Sequence, residues 1–290
     1  MPAKILDGRV LSHRILAHLK TEIDTLSKRH GIVPTLANIQ VGDVPASSIY
    51  TRSQERHAAE LGIGYRALRQ PASISQRKLE ALIRSLNRDR SVHGMIVMLP
   101  LPKQIDARRI SMLMDPRKDV EGITPENIGQ TMFGRIRVGS TTALAIMELI
   151  HATGVRLYGK EAVVVGHSEI VGKPVGLLLL DQFATTTVCH IGTAERGLLE
   201  EHIRRAEVLV VAVGRPNLVK GDWIRKGAVV IDVGINYLEN RVVGDVEFEA
   251  ACHRASFITP VPGGVGPLTV TMLMRNLVQA YRLQKETQRP

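Results

Sequence analysis

The segment Val163-Val164-Val165-Gly166-His167-Ser168-Glu169-Ile170-Val171-Gly172-Lys173-Pro174 carries the first pattern with a chemical consequence. An apolar run stops at a glycine and a helix-forming run follows. Such a helix start offers unpaired backbone N–H groups and the positive end of a dipole to a phosphate. Gly166 permits close backbone approach, and the Ser168 hydroxyl is able to donate to a phosphate oxygen. The spacing departs from G-x-G-x-x-G, so a βα turn that binds nothing is the competing reading. The next apolar run ends Val188-Cys189-His190-Ile191-Gly192-Thr193, without the acid that would hold a ribose 2′-hydroxyl. His190, Thr193 or Arg196 would meet a 2′-phosphate, which tilts the reading toward NADP over NAD. His190 as an ordinary strand-end residue is the alternative. Two further runs, Ala212-Val213-Gly214-Arg215-Pro216 and Ile231-Asp232-Val233-Gly234-Ile235-Asn236, also end in glycine turns. In an open parallel sheet such turns lie where ligands bind, off the carboxyl ends of the strands.

The elements that must position these turns alternate along the chain. Val10–Leu26 has helical spacing, Thr35–Val41 reads as a strand ending in the turn signal Gly42-Asp43, and Ala46–Leu61 reads as a helix begun near Pro45. Gly64–Leu68 is a strand, Ser75 caps a helix over Gln76–Leu86, and Met95–Leu99 is a buried strand stopped by Pro100 and Pro102. This order predicts a parallel sheet with crossover helices. Pro116–Arg137 reads as loop with at most a short helix, and Ser140–His151 as a connecting helix. A second alternation follows: strands at Ala162–Val165, Thr186–His190, Val208–Val213 and Ala228–Val233, with helices at Gly172–Leu180 and Glu200–Arg205. The expected architecture is α/β with two domains. Residues 1–139 form the first, completed by a C-terminal helix within 268–290, and residues 140–267 form a Rossmann-like parallel-sheet domain.

Composition narrows the function classes. A chain of 290 residues with 44% hydrophobic and 23% charged residues is that of a folded two-domain protein. The net charge of +10 is dispersed without a basic run, and aromatics are only 3%, which argues against a nucleic-acid partner and for anionic small molecules. No apolar stretch is long enough to span a bilayer, and the N-terminus has no apolar signal core. Cys189 and Cys252 do not make a disulfide framework, so a reduced, cytoplasmic setting is expected. No His, Cys, Asp and Glu spacing suits a metal; Cys252-His253 stands alone. His57 is read as a solvent-facing helix residue, His93 as a turn residue, Asp232 as structural and Trp223 as packing.

Several of these segments together resemble the methylenetetrahydrofolate dehydrogenase/cyclohydrolase family. Gly166-x-Ser168-x-x-x-Gly172-x-Pro174 is similar to its cofactor signature, and Pro260-Val261-Pro262-Gly263-Gly264-Val265-Gly266-Pro267-Leu268-Thr269 is highly specific to it. Val41-Gly42-x-x-Pro45-Ala46-Ser47-x-x-Tyr50, Leu99-Pro100-Leu101-Pro102, Lys118-Asp119-Val120-x-Gly122 and Gly221-Asp222-Trp223-Ile224 also match. The resemblance runs from about residue 4 to 282. It implies a cleft enzyme, usually a homodimer, that oxidises 5,10-methylenetetrahydrofolate with NADP and hydrolyses the methenyl product. Hydride transfer needs the nicotinamide held against the one-carbon unit; hydrolysis needs an activated water and a tuned base. By the resemblance, Gly166, His167, Ser168 and Ile235 hold the dinucleotide, and Tyr50, Leu99, Glu121, Pro262 and Gly263 hold the folate.

The resemblance breaks at the hydrolytic device. The family lysine four residues after Tyr50 is Gln54, its supporting glutamine is Met98, and the pteridine-holding aspartate is Glu121. The family's Pro-Cys-Thr-Pro entry to the linking helix is Val138-Gly139-Ser140-Thr141. Glutamine does not change protonation state at neutral pH, and methionine is expected to give no equivalent hydrogen bond. Arg52 and Arg56, two residues away on a helix, point roughly 200° from Gln54. The expectation is an uncharged amide where the reactive carbon would sit, with dehydrogenase chemistry kept and cyclohydrolase weak or absent. Two alternatives stand: a substitute base such as Arg52, His57 or water keeping both activities, and a folate-binding paralogue passing its one-carbon unit to another nucleophile.

Overall fold

The computed structural model describes residues 2–42, 45–239 and 241–286, side chains 45–49 and 286 apart. In chain order the elements are β1 (Lys4–Ile5), α1 (Gly8–His30), β2 (Thr35–Val41), α2 (Pro45–Leu61), β3 (Gly64–Gln70), α3 (Gln76–Arg88), β4 (Gly94–Val97), α4 (Ala107–Leu113), α5 (Pro125–Met132) and α6 (Thr141–Ala152). There follow β5 (Glu161–Val165), α7 (Gly172–Asp181), β6 (Thr185–Cys189), α8 (Ile191–Glu195), α9 (Leu199–Arg205), β7 (Val208–Val211), β8 (Val229–Asp232), β9 (Asn236–Leu238), β10 (Arg241–Val243), α10 (Phe248–Cys252), β11 (Phe257–Ile258) and α11 (Val265–Glu286). Asp43, half of the expected turn signal, lies outside the described residues.

Two compact units emerge: residues 1–13 with 142–269, and residues 14–141 with 270–290. The sequence reading placed residues 1–139 in one domain. Residues 4–5 instead add a strand to the other unit's sheet, because β1 pairs in parallel with β11. Two residues give no hydrophobic period from which that pairing could be read.

The unit of residues 14–141 and 270–290 is built on a three-stranded parallel sheet, β3-β2-β4. One set of buried side chains, including Ile23, Leu36, Ala58, Ile96, Met98, Leu273 and Leu277, joins the sheet to α1, α2 and α11. Another, including Ile39, Leu79, Ile83, Met95 and Ile110, joins it to α3 and α4. Local signals set the helix starts. Ser75 Oγ accepts from Lys78 N–H, Asp106 from Arg108 and Arg109, and Thr124 precedes a proline at the start of α5.

The second unit holds a six-stranded parallel sheet in the order β1-β11-β8-β7-β5-β6, its core filled by Val163, Val165, Leu209, Val211, Val230 and Ile258. Strand order reverses beside β5: the chain leaves β5 for β6 on one side and returns through β7 on the other. The turns after β5 and β7 therefore diverge, which opens a crevice of the kind that takes ligands in such sheets. A separate antiparallel pair, β9 with β10, was not anticipated in the sequence.

Candidate active site

Gln54 lies on α2 and is fully buried. Its Oε1 accepts from Asn38 Nδ2 on β2 at 2.7 Å and from the Tyr65 hydroxyl on β3 at 3.3 Å. Its Nε2 donates to Met98 Sδ at 3.8 Å. This corrects one expectation: the Met98 sulfur does accept a hydrogen bond from residue 54, although a weak one. It also refines another, since the Gln54 amide is bound into an internal polar network rather than projecting freely. The Tyr50 hydroxyl, one turn earlier on α2, hydrogen-bonds to Gln54 and to Thr141 at the start of α6. Burial, then the nearby Glu121 carboxylate, holds the Tyr50 phenol well above its usual range.

Glu121 sits in a loop shaped by its neighbours. The buried Asp119 carboxylate accepts from the backbone N–H groups of Glu121, Gly122 and Thr124, from the Thr124 hydroxyl and from Asn127 Nδ2. Gly122 has φ +69°, and a Cβ there would lie 2.4 Å from the Gly139 carbonyl carbon. Asn276 on α11 ties the same loop down, donating to the Val120 and Gly139 carbonyls at 2.8 Å each. Burial and the Asp119 carboxylate push Glu121 up to about 8. Tyr50 and Gln54 on α2 are thus brought together with the sequence-distant Met98 and Glu121. Leu99 follows Met98 and is 45% exposed. Lys118 carries no part of this chemistry: its Nζ donates to the Leu86 and Asp89 carbonyls and closes the end of α3.

His57, expected to face solvent, is buried, with Nδ1 2.8 Å from the Ser53 carbonyl oxygen. Asn38 and Tyr65 escaped the sequence reading. They come from separate strands, and nothing in their local spacing ties them to residue 54.

In the other unit, a cavity of about 300 Å³ is lined by Gly166, His167, Ser168, His190, Ala212 and Arg215 together with apolar Ile191, Ala194, Leu199 and Leu218. Gly166 adopts φ +120°, and a Cβ there would fall 2.3 Å from the Ala212 carbonyl oxygen. A Cβ on Gly172 would fall 2.1 Å from the Gly166 carbonyl oxygen. The two glycines therefore let the turn after β5 fold flat against β7 and α7, which leaves the crevice open. Ser168 Oγ accepts from the N–H groups of Val171 and Gly172 at the start of α7. The His167 and His190 rings lie 5.4 Å apart. Ile235, just after β8, is 63% exposed but does not line this cavity. Pro262 follows a cis peptide bond, and Gly263 has φ +112° with its carbonyl accepting from Gly8 N–H.

One residue that supports this cavity was missed. The fully buried Asp245 carboxylate accepts from the N–H groups of Val213, Gly214 and Arg215 at 2.7–3.0 Å and from Asn236 Nδ2. It shapes the turn after β7. Asp232 holds the Asp245 segment in turn, accepting from the N–H groups of Gly234, Asp245 and Val246, which agrees with a structural role. Burial pushes Asp232 up to about 6.

Residues 6–121 match the model of the tetrahydrofolate dehydrogenase/cyclohydrolase catalytic domain, and residues 140–285 match that family's NAD(P)-binding domain. The chain belongs to the tetrahydrofolate dehydrogenase/cyclohydrolase family. It is 49% identical over 285 residues to the bifunctional protein FolD of Acetivibrio thermocellus, covering 98% of this chain and 99% of the relative. A FolD of Nitratiruptor is 44% identical over 284 residues, covering 98% and 100%. Among solved structures, the bifunctional FolD of Campylobacter jejuni has a TM-score of 0.93 at 42% identity, covering 97% of this chain and 99% of that one. A Trypanosoma brucei FolD solved with NADP cofactor and an inhibitor has a TM-score of 0.95 at 37% identity, covering 98% and 99%. As a member of this family the chain is an enzyme of one-carbon folate metabolism with an NAD(P)-binding domain. Among the described residues, no helix is long and apolar enough to cross a membrane, and no group of His, Cys, Asp or Glu side chains is placed to hold a metal.

Proposed function

We propose that this enzyme oxidises 5,10-methylenetetrahydrofolate to 5,10-methenyltetrahydrofolate with NADP as acceptor, and that it opens the methenyl ring with water slowly or not at all. The observation that carries the reading is the Gln54 network. Asn38, Tyr65, Met98 and Tyr50, which hold the Gln54 amide, are all uncharged at neutral pH. Water attack on a methenyl carbon needs a group that takes up and returns a proton, and none of these does so. Oxidation makes a smaller demand, because the hydride leaves with its electron pair and no proton moves.

The crevice after β5 and β7 fits a dinucleotide. Gly166 and Gly172 let the turn after β5 pack tightly against the Ala212 carbonyl and the start of α7, α7 presents its N-terminus, and Ile191 and Leu218 supply an apolar wall. Bound there, the dinucleotide supplies the hydride acceptor. His167, Ser168 and Arg215 would hold its phosphates, and Ile235 would pack beside it. The absence of an acid at the end of β6, with His190 in the cavity wall, supports NADP over NAD. In the folate-holding unit, Glu121 would accept from the pteridine's N–H groups, with Tyr50 and Leu99 packing beside it. Pro262 and Gly263 are assigned to the folate by the family pattern.

We further expect a homodimer acting in the cytoplasm, which sedimentation and cell fractionation would check. The activity is tested by mixing 5,10-methylenetetrahydrofolate with NADP or NAD and following reduced cofactor and methenyl absorbance together. Equal rises in both, faster with NADP, support the proposal. Folate binding without cofactor reduction refutes it and favours a one-carbon carrier role instead.

A further inference from the structure

His93 precedes β4 at its amino end, and Met98 follows the strand at its carboxyl end. The five-residue separation spans about 16 Å of extended chain. Whatever happens around His93 is therefore remote from the Gln54 network.

A cavity of about 300 Å³ lies there, with Arg88, Arg90, His93, Arg117, Lys118 and Lys285 in its wall. Among the described residues Asp115 is the one acid in that wall, and it is already paired with Arg117 at 2.8 Å. Arg88 and Arg90 are exposed and form no ion pair among the described residues. Lys118 is buried, and its Nζ gives two of its three N–H groups to the Leu86 and Asp89 carbonyls at 2.7 Å each. The wall thus carries a surplus of cations that nothing described neutralises.

His93 adds a directional feature. It is only 2% exposed, and its Nδ1 accepts from Thr35 N–H at 3.1 Å. Burial, aided by Lys285 and Lys118, lowers its pKa to about 4, so the ring is neutral. With Nδ1 accepting, the ring proton sits on Nε2. That Nε2 is buried and has no hydrogen-bond partner. Buried donors are seldom left this way, because removing one from water without a partner is costly. The edge-on contact with Tyr281, centroids 4.8 Å apart, fixes the ring plane.

We infer that this cavity binds a phosphate-type oxyanion, with Arg88, Arg90 and Lys118 supplying charge and the His93 Nε2–H a buried donor. Guanidinium forks match phosphate oxygens in pairs, and a multiply charged anion fits a wall with several unneutralised cations. The pocket is too small for a polymer backbone, and the chain has few aromatics on which bases would stack. The ligand is either free phosphate or the phosphate of a small metabolite. This inference stands apart from the folate reading and does not depend on it.

The test uses the full-length protein saturated with NADP, so that the dinucleotide crevice cannot take the probe. Inorganic phosphate and methyl phosphate are each titrated at constant ionic strength, following the 15N-labelled histidine Nε2–H signals and the heat of binding. The inference predicts saturable binding that shifts one buried, neutral histidine, and an R88E/R90E variant that binds at least tenfold more weakly with unchanged NADP affinity. Tighter binding of the ester points to a metabolite, and equal or tighter binding of inorganic phosphate to the free ion. Both of those outcomes support the site. No saturable binding, or binding that R88E/R90E leaves unchanged, overturns it. Because Arg88 and Arg90 are exposed, the variant tests binding rather than folding.

Discussion

Asn38 Nδ2 donates to Gln54 Oε1 at 2.7 Å, and both side chains are buried. This bond fixes the orientation of the Gln54 amide. With its oxygen held by Asn38 and Tyr65, the Gln54 NH2 is turned toward Met98. The position offers hydrogen bonds but no proton exchange.

A lysine restored at this position needs an acceptor. Gln54→Lys alone would bury an ammonium against the Met98 thioether and is expected to destabilise the protein by about 1–3 kcal/mol. Gln54→Lys with Met98→Gln supplies an amide oxygen and is expected to raise methenyl hydrolysis at least tenfold above that of the parent. Urea unfolding and methenyl decay measured on both variants check this; a double variant no faster than the parent would show that more than these two residues has been lost.

Glu121 makes stability depend on pH. Its native pKa of about 8 lies above the ordinary 4.5, so the folded protein holds a proton that the unfolded chain has released. Stability from this group is present at low pH and declines as pH rises from about 4.5 to about 8. Asp232, raised from 3.8 to about 6, acts with the same sign in a lower window. Glu121→Gln should therefore flatten the urea-midpoint profile between about pH 6 and 8 and reduce, without abolishing, the slope between about pH 4.5 and 6, where Asp232 also contributes. A profile unchanged by the substitution contradicts the assignment.

Gly166→Ala should damage the dinucleotide crevice. The added Cβ would lie 2.3 Å from a backbone oxygen at φ +120°, so β5, β7 or α7 must shift. The strain alone costs about 1–3 kcal/mol. NADPH fluorescence titration is expected to give at least a tenfold loss of affinity, and wild-type affinity would show that the turn is not the phosphate site.

Asp245→Asn tests the support under Arg215. An amide has one acceptor oxygen where the carboxylate serves three backbone N–H groups and Asn236. Hydrogen bonds to charged acceptors contribute about 1.5–3 kcal/mol, so a stability loss of about 3 kcal/mol is expected, together with weaker NADPH binding. Unchanged stability would mean that the turn is held by other contacts.

Much of this fold was legible because buried parallel strands and amphipathic helices have distinct periods. Thr35–Val41 and the Ser75-capped helix fall where the pattern put them. Elements without a period were not legible: β1 with two residues, the β9–β10 pair carrying exposed Tyr237, and the short α4. The glycine turn after β5 was visible from residue types, whereas Gln54, Met98 and Glu121 stood out only against a family pattern. Their partners Asn38 and Tyr65, and the acceptor Asp245, were invisible because side chains meet through strand register, which local spacing does not encode.

The most direct measurement adds 5,10-methenyltetrahydrofolate to the enzyme without dinucleotide and follows its decay by absorbance across enzyme concentrations. Decay at the buffer rate at every concentration is the predicted result. A rate that climbs in proportion to enzyme contradicts the reading of Gln54 and places a working base elsewhere in the chain.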